Sequence, residues 1–284
     1  MFRTILVPLT AELPGERLLD AALILGKQVN AHIHALFILP NPDAALGYIP
    51  DVILAAGVMR EIIERETQEA AEEAKKRFVD WRTRNNLPEI PGGRLDTCVA
   101  AWAEQTGEIE EVVTTRGRLS DLASRRAESR PRAVQAQRCF DAAVFGSGRP
   151  TLVVGERPLH DITDHAMIAW NGSLEASRAV PGAMPLLHLA ARVSIFAAPQ
   201  YDVEGVNAAD LAEYLSWHGI RAHPLAGSND ERATGVALVS AASEQKASLI
   251  VMGAYTHSRL RQSFLGGVTR HLLAHAPVPL MMSH

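Results

Sequence analysis

The chain has 284 residues, 47% of them hydrophobic and 21% charged, with a formal net charge of −4. That balance is ordinary for a globular protein and leaves room for two domains of about 140 residues, each able to bury a core. It excludes a global field that would recruit nucleic acid or an anionic membrane. No apolar run approaches the ~18–20 residues of a spanning helix, so neither a nucleic-acid nor a membrane partner is expected. Met1-Phe2-Arg3 leads straight into a strand-like run, and no signal peptide is expected. Cys98 and Cys139 lack metal-type spacing and point to reduced thiols in a cytosol, hence a cytoplasmic location.

Thr4 to Leu9 is a continuous apolar run, the pattern of a strand buried on both faces, with Pro8 near its exposed end. Pro14-Gly15 turns the chain into a helix from Glu16 to Val29, where Leu18, Leu19, Ala22 and Leu25 recur at helical spacing. Ala31 to Leu39 is a second strand, stopped by Pro40-Asn-Pro-Asp43. Ala44 to Val58 is a semi-apolar insertion, a lid or a packing arm, before a long charged helix from Met59 to Arg84. Val99 to Thr106 is the third strand, and Glu108 to Thr115 a short helix with an acidic start. Leu119 to Ser124 is expected as the fourth strand, Arg132 to Phe145 as a helix and Thr151 to Val154 as the fifth strand. Gly155-Glu-Arg-Pro158 is the expected linker.

The pattern then restarts. His165 to Trp170 is a strand, and Glu175 to Ala190 a helix made irregular by Pro181 and Pro185. Arg192 to Ala198 and Ile220 to Leu225 are strands around a helix from Asn207 to Trp217. Asn229 or Asp230 caps a helix that runs to Glu244. The closing unit is a strand from Leu249 to Met252, a loop bounded by Gly253 and Gly266, a helix opening at Gly266-Gly267 and a strand from Val278 to Met282. A glycine-bounded loop that ends on a helix start turns free backbone N–H groups toward an anion. Five strands alternating with four helices, twice over, argue an α/β fold with parallel sheets and an internal duplication.

The order of elements, the opening Ile5-Leu-Val-Pro8 and the closing Gly253-x12-Gly266 loop resemble a tandem universal stress protein, over nearly the whole chain. The resemblance implies two tandem five-stranded parallel-sheet domains, Rossmann-like with three α/β/α layers, packed as an intramolecular pseudo-dimer. Their spans are 1–156 and 161–284, and the two closing strands are expected to join them, which also covers two apolar edges. It implies a role in stress response, an unknown protein partner, and binding of ATP or AMP.

In nucleotide-binding members of that family, three glycines and a Ser or Thr after the fourth strand hold phosphates, and an Asp after the first strand meets the adenine. Here Gly253 and Gly266 match the first and third glycines, Thr256 stands in the second slot, Gly267 in the hydroxyl slot and Asn171 in the Asp slot. Ser258, Ser263 or Thr269 can supply the missing hydroxyl, His257 and Arg259 can reach a phosphate, and Val268 lies in the first turn of the helix. In the first half, Thr10 fills the Asp slot and Arg125-Arg126 replaces the first glycine, so no nucleotide is expected there. The arginines Arg125, Arg126, Arg130, Arg132 and Arg138 mark either an anion or partner surface or a solvated face.

No catalytic constellation is legible. There is no Gly-x-Ser-x-Gly elbow and no Walker-type phosphate loop, and any ATP hydrolysis is expected to be slow and incidental. His271 and His275 have helical metal-ligand spacing but no third ligand, and no metal is expected. His32 and His34 share a strand face and are expected to fill the layer between sheet and helix. Trp170 is either core or a stacking wall beside Asn171. The competing reading is a nucleotide-free interaction module with both sites degenerate, favoured by Thr256, Gly267 and Asn171.

Overall fold

The computed structural model describes residues 2–11, 15–42, 53–88, 96–126, 134–155, 159, 161–197, 206–225, 234–254 and 267–284. Ten strands alternate with eight helices among these residues. The first half contains β1 (Thr4–Leu9), α1 (Glu16–Val29), β2 (His32–Leu39), α2 (Ile53–Arg84), β3 (Val99–Thr106), α3 (Ile109–Gly117), β4 (Leu122–Arg126), α4 (Val134–Asp141) and β5 (Thr151–Val154). The second contains β6 (His165–Trp170), α5 (Leu174–Leu187), β7 (Arg192–Ala197), α6 (Ala208–Trp217), β8 (Ala222–Leu225), α7 (Thr234–Glu244), β9 (Leu249–Gly253), α8 (Gly267–His275) and β10 (Leu280–Ser283).

The strands form one sheet in the order β3-β2-β1-β4-β5-β10-β9-β6-β7-β8. All neighbours are parallel except β5 and β10, which run antiparallel with Val153 opposite Leu280 and Thr151 opposite Met282. The two closing strands therefore share a ladder. Beside it, Gly182 of α5 packs closely: an added Cβ would stand 3.3 Å from Pro150 of the first half and 3.4 Å from Ser283 of β10.

Alternation along the strands sorts side chains to two faces. Ile5, Val7, Ile33, Ala35 and Phe37 join a core under α1 and α2 that continues through Leu152 and Met281 to Ile168 and Ile195, under α5 and α6. On the other face the core is divided. Leu6, Leu36 and Ile38 pack on α3 and the π-helical turn Ala142–Gly146 that follows α4. Val153, Met167 and Ile250 pack on α7 and α8, together with Phe140 and Val144. Each such side chain, removed from water, contributes about 1.5–3 kcal/mol.

Pro8 is accommodated by register. The Arg3 carbonyl accepts from His32 N and the Thr4 carbonyl from Asp121 N, so odd residues of β1 face β2 and even residues face β4. The β1–β4 ladder pairs only Ile5 with Leu122 and Leu6 with Ala123. The missing N–H of Pro8 thus falls beyond the end of that ladder, where the sheet loses no bond.

Several boundaries differ from the sequence reading. The fourth strand starts at Leu122, not Leu119: the Asp121 carboxylate accepts from the backbone N of Arg3 (2.6 Å) and Thr4 (2.9 Å), and Leu119 lies in the preceding turn, 79% exposed. Arg125 and Arg126 accordingly belong to the strand, paired with Val153 and Val154, rather than to a loop after it. The helix expected from Met59 begins at Ile53 and takes in the end of the 44–58 insertion, most of which lies outside the described residues. The helix expected from Glu108 runs from Ile109 to Gly117. The helix expected from Arg132 starts at Val134 within the described residues. The closing strand begins at Leu280, because Pro279 and Val278 precede the first residue paired with β9. Despite Pro181 and Pro185, α5 is one uninterrupted run. Its buried stripe of Ala176, Ala179, Val180, Ala183, Leu186 and Leu187 offsets the lost backbone bonds. The expected caps Asn229 and Asp230 lie outside the described residues.

Candidate functional site

In each half the crossovers diverge from a central pair of strands. From β6 the chain moves outward to β7 and β8, whereas β9 leads the other way to β10. The carboxyl ends of β6 and β9 therefore flank a topological switch point, the crevice where open α/β sheets hold ligands. Ala169 is level with Met252, one residue before the ends of the two strands at Trp170 and Gly253.

Gly253 has a packing reason to be glycine. A Cβ there would stand 2.5 Å from Ala176 N and 2.7 Å from the Glu175 carbonyl carbon, both backbone atoms of the first turn of α5. The bare glycine is what lets the α5 N-terminus sit against the end of β9. Asn171 is also spent locally. Its Oδ1 accepts from Ser173 N at 3.2 Å, with Gly172 at φ 67°, closing the turn from β6 into α5. Ser173 caps that helix, its Oγ accepting from Ala176 N at 3.2 Å. The structure thus brings Asn171, Gly253 and the capped start of α5 to one place.

Gly267, Val268 and Thr269 form the first turn of α8, whose leading N–H groups have no partner within a helix. Gly267 is exposed and a Cβ there would meet nothing within 4 Å. Thr269 is buried with Leu272 on the inner side of α8. Thr256, His257, Ser258, Arg259, Ser263 and Gly266 lie outside the described residues.

Two groups at this end went unread in the sequence. Ser173 carried a legible signal, a Ser at the start of a helical run. His284 carried none. Ala254 N donates to the Ser283 carbonyl, and the His284 Nδ1–H donates to the Ala254 carbonyl at 2.8 Å. The imidazole also meets the Phe145 ring edge-on, with centroids 4.8 Å apart. The last residue thereby ties the exit of β9 to the first half.

The other candidates are placed as follows. Trp170 is core: it is 9% exposed and its Nε1–H donates to the Val206 carbonyl at 2.7 Å. His271 and His275 stack at 4.3 Å, and the His275 Nδ1–H donates to the His271 carbonyl at 2.9 Å. Burial, then the neighbouring His275, lowers the His271 pKa. His32 and His34 stack at 6.0 Å over the α3 side of the sheet, and burial lowers both pKa values. Cys98 and Cys139 are both buried, and neither is in a disulfide. Burial pushes Cys98 up to about 11, which leaves it no thiolate character near neutrality. Arg138 is engaged within the chain, its Nη2 2.7 Å from Glu108 and 2.6 Å from Glu110. That pairing removes it from the arginines available to an anion or partner.

Residues 230–284 match the Universal stress protein family. No curated protein matches the chain. Among solved structures, a universal stress protein from Archaeoglobus fulgidus DSM 4304 is similar over 99% of this chain and 97% of its own, with a TM-score of 0.64 and 18% identity. A functionally unknown protein from Pseudomonas aeruginosa PAO1 is similar over 99% of this chain and 92% of its own, with a TM-score of 0.54 and 14% identity. At such identities the likeness is one of fold. It extends the α/β architecture of a universal stress protein across both halves, while the family's own sequence pattern is confined to the last 55 residues, 230 through 284. No helix among the described residues is long and apolar enough to cross a membrane.

Proposed function

We propose that the chain is a stress-response protein of two tandem universal-stress-protein-like domains, 1–156 and 161–284, whose second domain binds an adenine nucleotide, ATP or AMP, between β6 and β9. The observation that carries the reading is the switch point itself. It brings the end of β6, which runs into Asn171, alongside the end of β9, which lies within the residues 230–284 that match the family. A nucleotide there would meet the Asn171 amide at its base or ribose, and its phosphates would meet the free N–H groups at the start of α8. Occupancy would shift an interaction with a protein partner. The two domains pack as an internal pseudo-dimer through β5 and β10, a reading supported by their antiparallel ladder.

A second reading is an interaction module without nucleotide. It is favoured by one observation: both Asn171 and Gly253 already have full structural explanations, in the turn and in the packing of α5. Calorimetric titration with ATP and AMP, on the natural chain and on Gly266→Val, separates the two. Binding lost in the variant supports the loop site. Binding that survives the substitution places the nucleotide elsewhere, and no binding to either protein leaves the interaction module.

A further inference from the structure

Helix α6 buries one stripe and exposes another. Leu211 and Leu215, four residues apart, join the main core. Asp210, Glu213, Tyr214 and Trp217 follow the i, i+3, i+4, i+7 spacing that sets residues on one side of a helix. All four are exposed, Tyr214 by 41% and Trp217 by 81%. Tryptophan is on average a well-buried residue, and tryptophan and tyrosine open to solvent are characteristic of interfaces. The Tyr214 ring is steadied by His218, with centroids 4.7 Å apart.

The fold does not require an aromatic residue there. The corresponding helix of the first half, α2, ends in the same way. Asn86 has φ 54° and Leu87 N donates to the Arg82 carbonyl; Gly219 has φ 76° and Ile220 N donates to the Leu215 carbonyl. Matched at these ends, Tyr214 takes the place of Trp81 and Trp217 the place of Arg84. In the first half both places are engaged by α1. Trp81 is 1% exposed with its Nε1–H on Asp20, and Arg84 pairs with Glu16. In the second half the two rings are left to solvent.

Charge around the rings selects the partner. Helix α6 carries two carboxylates, Asp210 and Glu213, and no lysine or arginine. The nearest arginine in sequence, Arg221, follows Gly219, where the chain has turned off the helix. The helix ends beside Trp217 and presents the negative end of its dipole there. An indole face attracts a cation, and a guanidinium stacks on it better than an ammonium does. Carboxylates on the same stripe repel phosphate, which excludes nucleic acid and an anionic membrane as the occupant. We propose that the stripe Asp210, Glu213, Tyr214 and Trp217 docks a basic segment of a partner protein, with an arginine guanidinium on the Trp217 ring and paired with the Glu213 carboxylate. Because α6 returns the chain from the end of β7 to the start of β8, Trp217 lies at the amino ends of the strands, away from the crevice at the carboxyl ends of β6 and β9. The inference gives a surface to the protein partner of the proposed function and does not depend on nucleotide binding.

The test is fluorescence anisotropy of dye-labelled hexa-arginine, hexa-lysine and hexa-glutamate peptides titrated with the full chain. Hexa-arginine is expected to bind saturably, hexa-lysine more weakly and hexa-glutamate not at all. Trp217→Ala should weaken hexa-arginine about ten-fold, as loss of an aromatic anchor does, and Trp217→Phe should weaken it less. Glu213→Gln should weaken it about three-fold, the worth of one exposed ion pair. Trp217 is exposed, so its removal takes little from the core, and Glu213→Gln keeps the result readable if Trp217→Ala fails to fold. Binding at an acidic surface elsewhere, such as α2, would be indifferent to Trp217. The proposal is overturned if hexa-arginine shows no saturable binding, if Trp217→Ala binds it as the natural chain does, or if hexa-lysine binds as tightly.

Discussion

The two halves of the sheet share a topology and differ at the point where a ligand would sit. In the second half β6 and β9 pair over four residues and β9 ends on Gly253, against which the start of α5 is packed. In the first half β1 and β4 pair over two residues, Pro8 faces the side where that ladder has stopped, and β4 ends on Arg126. The helix starts differ in the same way. Ser173 caps α5 with its side chain, whereas the cap position of α1 is Gly15, at φ 53° and with no side chain to bond. One half has its helix drawn tightly onto the switch point. The other has relaxed that junction. The comparison teaches that burial holds the strands in both halves of the sheet, while close approach of a helix to a strand end depends on a particular small residue.

Four substitutions or conditions would break or sharpen the contrast. The largest effect is expected from Gly253→Val, which forces side-chain atoms into the backbone of Glu175 and Ala176. The expected loss is ~3 kcal/mol of stability, read by chemical denaturation, and an unchanged midpoint would mean that α5 does not rest on β9 as described. Next is Ser173→Ala, which should cost about 1 kcal/mol through the lost cap, with the same readout. A cost near zero would erase the difference between the two helix starts.

The third concerns pH and belongs to the first half. Burial holds the His32 and His34 pKa values below the ordinary value, and for His34 the charges of His32 and Arg116 add to it. The unfolded chain then binds more protons in mild acid, so stability is complete above about pH 6.5 and falls as the pH drops below it. Melting temperature should decline from pH 6.5 to 5, and His34→Gln should flatten that decline. An equal slope in the variant would assign the acid sensitivity to other groups. The smallest effect is expected from Gly267→Ala. Among the described residues nothing lies within 4 Å of a Cβ there, and a gain of about 0.4–1 kcal/mol is expected from the stiffer unfolded chain. A loss comparable to that of Gly253→Val would show that both glycines are equally constrained.

Much of the fold was legible from periodicity. The apolar run Thr4–Leu9 marked a central strand, and the run from Asn207 to Trp217 marked a helix, which the structure starts at Ala208 with Asn207 capping it in a reciprocal box with Asp210. Less was legible where a residue's role depends on a distant partner. Leu119 looked like the start of a strand, but Asp121 is taken by the N-terminus of β1, 117 residues away in sequence from Thr4. Arg138 looked like part of a basic surface until Glu108 and Glu110 came round to meet it. Gly253 looked like one half of a phosphate loop, and its first duty is to admit a helix from another crossover.

The sequence by itself determined the α/β class, the doubling of the element pattern and the burial of the central strands, because hydrophobic period and chain length constrain these locally. Only the tertiary structure decided which side chains are already engaged: Asn171 in its turn, Trp170 on the Val206 carbonyl, His284 on Ala254, and Thr10 with a buried hydroxyl and no partner. The reason is that hydrogen bonding and close packing are settled between elements far apart in the chain, and no local pattern records who the partner will be.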